Sequence, residues 1–172
     1  MVPMASKRTR MSAGERREQL IAVARGLFAE KGFDATSIEE VASRAKVSKP
    51  VVYEHFGGKE GLYAVVVDRE LRALTDAVTT SLTAGGSDRE TIERAALALL
   101  DYIEDSPDGF RILVRDVSGS APTGTYASLL SDVAAEVAHL LSDAFEQREL
   151  ESRYAPMYAQ MLVGLVSLTG QW

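Results

Sequence analysis

Lys49 and Pro50 open a short apolar pattern (Val51, Val52, Tyr53, Phe56) that follows closely on another, Ile38, Val41 and Ala42, with only Lys46, Val47 and Ser48 to turn the chain between them. Two short helices joined by a tight turn are the minimum for a helix-turn-helix, whose second helix enters the major groove of DNA. The chemistry of such a unit is non-covalent. Phosphates are held by hydroxyls, lysines and helix N-terminal amides, while base edges are met by side chains short enough for the groove. Lys49 has the reach for guanine O6 and N7 or for a phosphate, and Val51 has methyl groups suited to a thymine methyl. Spacing alone leaves two uses open for the pair, insertion into DNA or packing within a helical core.

Covalent chemistry finds little support in the residue inventory. There are two histidines, His55 and His139, far apart in the chain, no cysteine, and no glycine-rich phosphate-binding motif. These leave no recognisable nucleophile, acid–base pair or thiolate metal site, so neither an enzyme, a cofactor nor a metal centre is expected. His139 stands among Ala138, Leu140 and Leu141 as an ordinary helix residue.

The net charge of −6 at first argues against a nucleic-acid partner, but its distribution argues the other way. Residues 1–60 hold 11 Lys and Arg against 8 Asp and Glu, a balance of +3, while residues 61–172 hold 8 Arg against 17 Asp and Glu, a balance of −9. All five lysines (Lys7, Lys31, Lys46, Lys49, Lys59) lie in the first part, and Lys7, Arg8, Arg10, Arg16 and Arg17 precede the first apolar pattern. A basic head on an acidic body is the pattern of a phosphate-facing module, and a solvated basic tail accounts equally well for the first ten residues. No stretch reaches the roughly 18 apolar residues of a membrane span, and the N-terminus lacks the apolar run of a secretory signal; a cytoplasmic protein without a membrane partner is expected.

The elements that must position these residues are helical throughout, because apolar residues recur at three- and four-residue spacing and no run alternates strictly. The first helix is expected from about Ala13 to Lys31, ended by Gly32. Thr36 or Ser37, with Glu39 or Glu40 three residues on, can form a capping box for a helix reaching about Ala45. Ser48 can cap the next, with Pro50 in its first turn and Gly57-Gly58 at its end. A long connector follows from near Lys59 to Gly85-Gly86. Ser87 and Glu90 box the start of a helix halted by Pro107, Phe110 to Val117 makes a shorter segment, and Ser118 to Gly124 reads as a loop. Tyr126 to about Glu149 is a long amphipathic helix, and a last apolar one begins near Pro156 and runs to Trp172, where a further helix is expected to be absent.

The string ARGLFAEKGFDATSIEEVASRAKVSKPVVYEHFGGKEGLY, from Ala24 to Tyr63, resembles the DNA-binding region of the TetR family of bacterial transcriptional regulators. The likeness lies in Leu27-Phe28, Gly32-Phe33, Thr36-Ser37-Ile38, Val41-Ala42, Val47-Ser48, Tyr53, His55-Phe56, Lys59-Glu60 and Leu62, about a quarter of the chain. It implies an all-α fold: an N-terminal three-helix helix-turn-helix DNA-binding domain joined by a long connector helix to a C-terminal helical ligand-binding and dimerisation domain. The expected boundaries are a basic arm at 1–12, the DNA-binding domain at 13–60, and an effector and dimerisation domain at 61–172.

The resemblance implies phosphate contacts for Thr36, Tyr53, His55 and Lys59 and groove contacts for Lys49, Pro50 and Val51, with Ser48 serving first as a cap. Many relatives carry glycine or a hydroxyl where Pro50 stands, so operator preference does not transfer. Beyond the connector it implies a pocket for a small-molecule effector, with Tyr102, Phe110, Tyr126, Met157, Tyr158 and Met161 as candidates because aromatic and Met side chains make adaptable apolar walls. Arg111 and Arg115, one turn apart, are either a surface pair or a site for an acidic effector. The expected partners are double-stranded operator DNA, an effector and a second copy of the chain. The expected activity is repression from a palindromic operator, relieved by the effector. The competing reading is a helical dimeric scaffold whose helix-turn-helix no longer works.

Overall fold

A computed structural model describes residues 11–115 and 126–170 of the chain. Lys7, Arg8, Arg10, the expected loop at 118–124 and Trp172 lie outside the described residues. Among the described residues the secondary structure is entirely helical. The chain divides into two compact units, Met1–Val66 and Val67–Trp172.

In the first unit, α1 spans Ala13–Ala35, longer than periodicity suggests at its far end. Ser12 caps it through a reciprocal box: Glu15 N donates to Ser12 Oγ at 3.2 Å, and Ser12 N donates to Glu15 Oε2 at 2.8 Å. Gly32 does break the helix, as its composition predicts, at φ 81° and ψ 176°, but one more turn forms after it. Helices α2 (Ile38–Ala45) and α3 (Lys49–Phe56) follow, and α4 (Lys59–Thr83) starts in this unit and ends in the second. The core joins Leu20, Leu27 and Phe28 of α1 to Val41 of α2, Val52 of α3 and Leu62 of α4, all essentially without solvent contact. Tyr63 packs edge-on against Phe28 with ring centroids 4.9 Å apart, and Gln19 Nε2 donates to the Ala45 carbonyl at 3.3 Å, satisfying an acceptor that the end of α2 leaves open.

In the second unit, α5 (Asp88–Asp105) begins at the box formed by Ser87 and Glu90, as its sequence signature indicates. Next comes α6 (Pro107–Arg115), three residues earlier than expected. Pro107 starts this helix as well as stopping the one before, because a first-turn residue needs no amide hydrogen, and the Ser106 carbonyl takes the Phe110 amide at 3.0 Å. Helix α7 (Tyr126–Glu146) returns through a single 3₁₀ turn at Ser152–Tyr154 into α8 (Ala155–Thr169). The last two helices form an antiparallel hairpin. Tyr126 and Ser167 meet at one end through their hydroxyls, 2.9 Å apart, and Phe145 and Tyr158 meet at the other, 5.7 Å between ring centroids. Glu70 of α4 accepts from the Tyr102 hydroxyl at 2.9 Å and the Ser106 hydroxyl at 3.2 Å, fastening α4 to the end of α5. A Cβ at Gly109 would meet the Glu70 carboxylate and the Ser106 hydroxyl, so a side chain there would have to displace them.

Candidate nucleic-acid interface

The turn between α2 and α3 is built by Lys46, which takes the left-handed conformation at φ 57° and ψ 44° and donates its amide to the Ala42 and Ser43 carbonyls. Val47 N also returns to Ala42 O, at 2.9 Å, so three residues reverse the chain with the end of α2 satisfied. Val52 is the one fully buried side chain of α3. Val51, His55 and Phe56 are half-buried around it, while Lys49, Pro50, Tyr53 and Glu54 are exposed. One apolar anchor therefore seats the helix and leaves its first turn and the Tyr53 side open, Tyr53 itself being 53% exposed.

Gly57 (φ 75°) closes α3, donating its amide to Tyr53 O at 2.8 Å. At Gly61, a Cβ would overlap the Phe56 carbonyl oxygen, so α4 crosses the end of α3 at backbone contact. Arg17 of α1 lays its guanidinium over the Phe56 ring, 4.7 Å from the centroid. The end of α3 is thus held from both sides, which fixes where its front points.

The site residues are positioned unequally. Lys49 Nζ bonds to Glu39 Oε1 of α2, and this pairing holds the Glu39 carboxyl below its ordinary range. Lys59 Nζ donates to the Phe33 carbonyl at 3.1 Å and lies over the Phe33 ring, 4.2 Å from its centroid, which leaves it two further donors. His55 is half-buried beside Phe56, their rings 6.0 Å apart.

Two expectations need correction. Ser48 occupies the cap position of α3, but its hydroxyl makes no cap bond, because Val51 N is taken by the Ser48 carbonyl at 3.1 Å; the exposed hydroxyl remains open to a phosphate. Thr36 is only 2% exposed, and its hydroxyl is turned inward to the Gly32 carbonyl at 2.8 Å. A phosphate accepts hydrogen bonds only, so a hydroxyl whose proton is committed inside the fold cannot serve it. Thr36 is a latch across the Gly32 break. Ser37 is the cap of α2, accepting Glu40 N at 3.2 Å, and Glu40 does not complete a box because its carboxylate is engaged by Lys31 at 2.6 Å.

The sequence reading missed Glu39, whose ten-residue separation from Lys49 carries no local signal, and Arg17, which it treated as part of a basic run. It also overlooked that much of the basic excess is matched on the spot. Lys31 pairs with Glu40, Arg44 pairs with Glu30 at 3.3 Å and Glu40 at 3.7 Å, and Lys49 pairs with Glu39, which leaves Ser48, Pro50 and Tyr53 as exposed uncharged side chains at the front and side of α3.

Residues 20–66 match the family model described as bacterial regulatory proteins, tetR family. That segment, from the second half of α1 into α4, is similar to the DNA-binding region of that family. The chain is similar to a TetR-like transcriptional regulator from a Rhodococcus species, whose crystal structure superposes with a TM-score of 0.80 at 27% identity, covering 94% of this chain and 85% of that one. The regulator PfmR from Thermus thermophilus shares the fold, with a TM-score of 0.73 at 21% identity over 91% of this chain and 85% of that one. Among curated proteins, the chain is 36% identical over 107 residues to the HTH-type transcriptional activator FasR of Mycolicibacterium smegmatis, covering 62% of this chain and 49% of the relative. The chain thus spans about half the length of that relative.

In the second unit, the six expected pocket residues are spread over several places. Tyr102 is fastened to Glu70, Phe110 stacks edge-on against Tyr126 with centroids 5.6 Å apart, and the buried Tyr126 hydroxyl is spent on Ser167. Met157, Tyr158 and Met161 are exposed on α8. Tyr154, Met157, Met161, Leu165 and Leu168, spaced by three or four residues, form an outward apolar stripe there. A cavity of about 80 Å³ lies elsewhere, lined by Leu74 and Val78 of α4, Ala96 and Leu99 of α5, Val133 of α7 and Val166 of α8 among others. Composition does not tell which face of a helix is covered, so the aromatic and Met side chains are divided between interior and surface.

Proposed function

We propose that the chain is a dimeric operator-binding repressor whose grip on DNA is weakened by a small-molecule effector. The observation that carries the reading is the exposed front of α3: Ser48, Lys49, Pro50 and Tyr53 stand clear of a helix seated by buried Val52 and held at its far end around Phe56. In this reading Lys49, Pro50 and Val51 meet base edges, and Ser48, Tyr53, His55 and Lys59 hold the flanking phosphates. The chain works in the cytoplasm, and none of its described helices is long and apolar enough to cross a membrane.

Two heads are needed because one helix-turn-helix gains too little specific contact, and a two-fold dimer reads a two-fold operator. The outward stripe of α8 supplies the self-complementary surface, since an apolar face of that length is normally covered. In this reading residues 13–60 are the DNA-binding head and residues 61–172 the effector and dimerisation domain, with α4 continuing from one into the other. An effector that binds better when the heads are spaced wrongly for successive major grooves shifts the population away from DNA.

A second reading is favoured by the name of the FasR relative, an activator: the same binding upstream of a promoter would recruit rather than occlude. A reporter with the selected operator placed over or upstream of a promoter separates the two. The binding itself is tested by anisotropy titration on operator DNA at several salt concentrations. Steep weakening with salt, and a shallower slope for Lys49→Ala, support the reading; equal binding by parent and variant at every salt concentration would remove α3 from the interface.

A further inference from the structure

Lys46 is one of two non-glycine residues at positive φ among the described residues, at φ 57° in the turn between α2 and α3. That conformation at a helix end is the ordinary place of glycine, because a Cβ there crowds the backbone. The turn itself makes no use of the lysine side chain. The amides of Lys46 and Val47 return to α2, and Gln19 Nε2 meets the Ala45 carbonyl at 3.3 Å. Glycine would close the same bonds without the crowding, so what lysine adds is the charge at the end of its stem. A cation at the end of α2 suits the helix dipole, but Arg44 already fills that place in the last turn.

The charge is uncommitted. Of the four described lysines, Lys31 is held by Glu40, Lys49 by Glu39 and Lys59 by the Phe33 carbonyl, while the Lys46 ammonium makes no contact with another described residue. Nearby arginines are engaged as well, Arg44 by Glu30 and Glu40 and Arg17 by the Phe56 ring. Val47 is half-buried, and the residues on either side of it, Lys46 and Ser48, are exposed. The free cation therefore stands two residues before the open hydroxyl of Ser48 and three before Lys49. If the front of α3 enters a groove, the turn that leads into it lies against the strand bordering that groove.

We infer that Lys46 is a phosphate contact: on DNA its ammonium meets a backbone phosphate at the edge of the groove that α3 enters, adding affinity without sequence preference. The inference rests on reading the first unit as an operator-binding head, and it explains why a lysine occupies a position where glycine would be less strained.

The test is an anisotropy titration of the full chain on two duplexes, one of mixed sequence and one recovered by selection, each at several salt concentrations. Lys46→Gly and Lys46→Asn remove the charge with residues that tolerate the left-handed turn, and Lys46→Arg keeps it. Both neutral variants are expected to bind roughly fivefold more weakly per head, by the same factor on the two duplexes, with a log affinity against log salt slope shallower by about one per head. Lys46→Arg is expected to bind like the parent. The melting temperature of Lys46→Gly is expected to be no lower than that of the parent, whereas a purely helix-capping lysine would lower it. Neutral variants with parental affinity and slope on both duplexes, or weakened on the selected duplex alone, overturn the inference. A parent chain that binds neither duplex removes the operator-binding reading and this contact with it, so the two failures are told apart.

Discussion

Lys49 on the first turn of α3 is bonded to Glu39 on α2, so the cation best placed to meet DNA already has a carboxylate partner. Both side chains are more than half exposed, and such a pair contributes little to stability. Its consequence falls on recognition: Lys49 must leave Glu39 to meet a phosphate or a base, and only a site that offers full contact repays the exchange. Glu39→Gln is expected to leave thermal stability near that of the parent, to tighten binding to mixed-sequence DNA severalfold, and to narrow the ratio of operator to non-operator affinity. Anisotropy with both DNAs checks this.

Tyr53→Phe removes one hydroxyl from an exposed ring and nothing from the core. With a neutral hydrogen bond at about 1 kcal/mol, operator affinity is expected to fall roughly fivefold per head with unchanged melting. Thr36→Val separates the latch from the interface: it keeps the shape of a buried residue, strips the hydroxyl from Gly32, and is expected to lower stability by about 1 kcal/mol while operator affinity measured on folded protein stays the same.

Much of this architecture is legible in the residues themselves, where the signal is local. Gly57 ends α3, Ser87 with Glu90 starts α5, and the three-residue turn at Lys46–Ser48 sets two short helices side by side. What periodicity does not carry is the direction of individual polar atoms. Thr36 and Ser37 are adjacent hydroxyls with the same local pattern, yet one turns inward and the other caps, and the difference is decided by the break at Gly32. Likewise α8 is apolar on nearly every side, so nothing in its spacing separates Val166, which lines an interior cavity, from Met161, which faces out.

Close backbone approach at Gly61 makes a sharp stability test. Gly61→Ala drives a methyl into the Phe56 carbonyl, which cannot rotate away, and is expected to cost about 1–3 kcal/mol, read as a lower denaturant midpoint with an unchanged slope.

The Tyr126 and Ser167 hydroxyls satisfy one another in the interior. Tyr126→Phe leaves Ser167 unpaired and is expected to destabilise by about 1–3 kcal/mol, with Ser167→Ala restoring part of the loss in the double variant. Burial raises the Tyr126 phenol above its ordinary range, against a smaller lowering by Ser167. The unfolded chain therefore ionises first. The contribution of Tyr126 is complete below the unfolded value and is lost as pH rises through the folded one, so the parent is expected to lose stability on the alkaline side more steeply than the phenylalanine variant.

The central claim is that the front of α3 reads DNA as part of a symmetric pair of heads, and selection of bound sequences from a random DNA pool tests it most directly. An inverted repeat whose half-sites lie about one helical turn apart, and whose enrichment disappears with Lys49→Ala, is the predicted result. Recovery of sequences with no consensus, or of the same consensus with the Lys49→Ala protein, would contradict it.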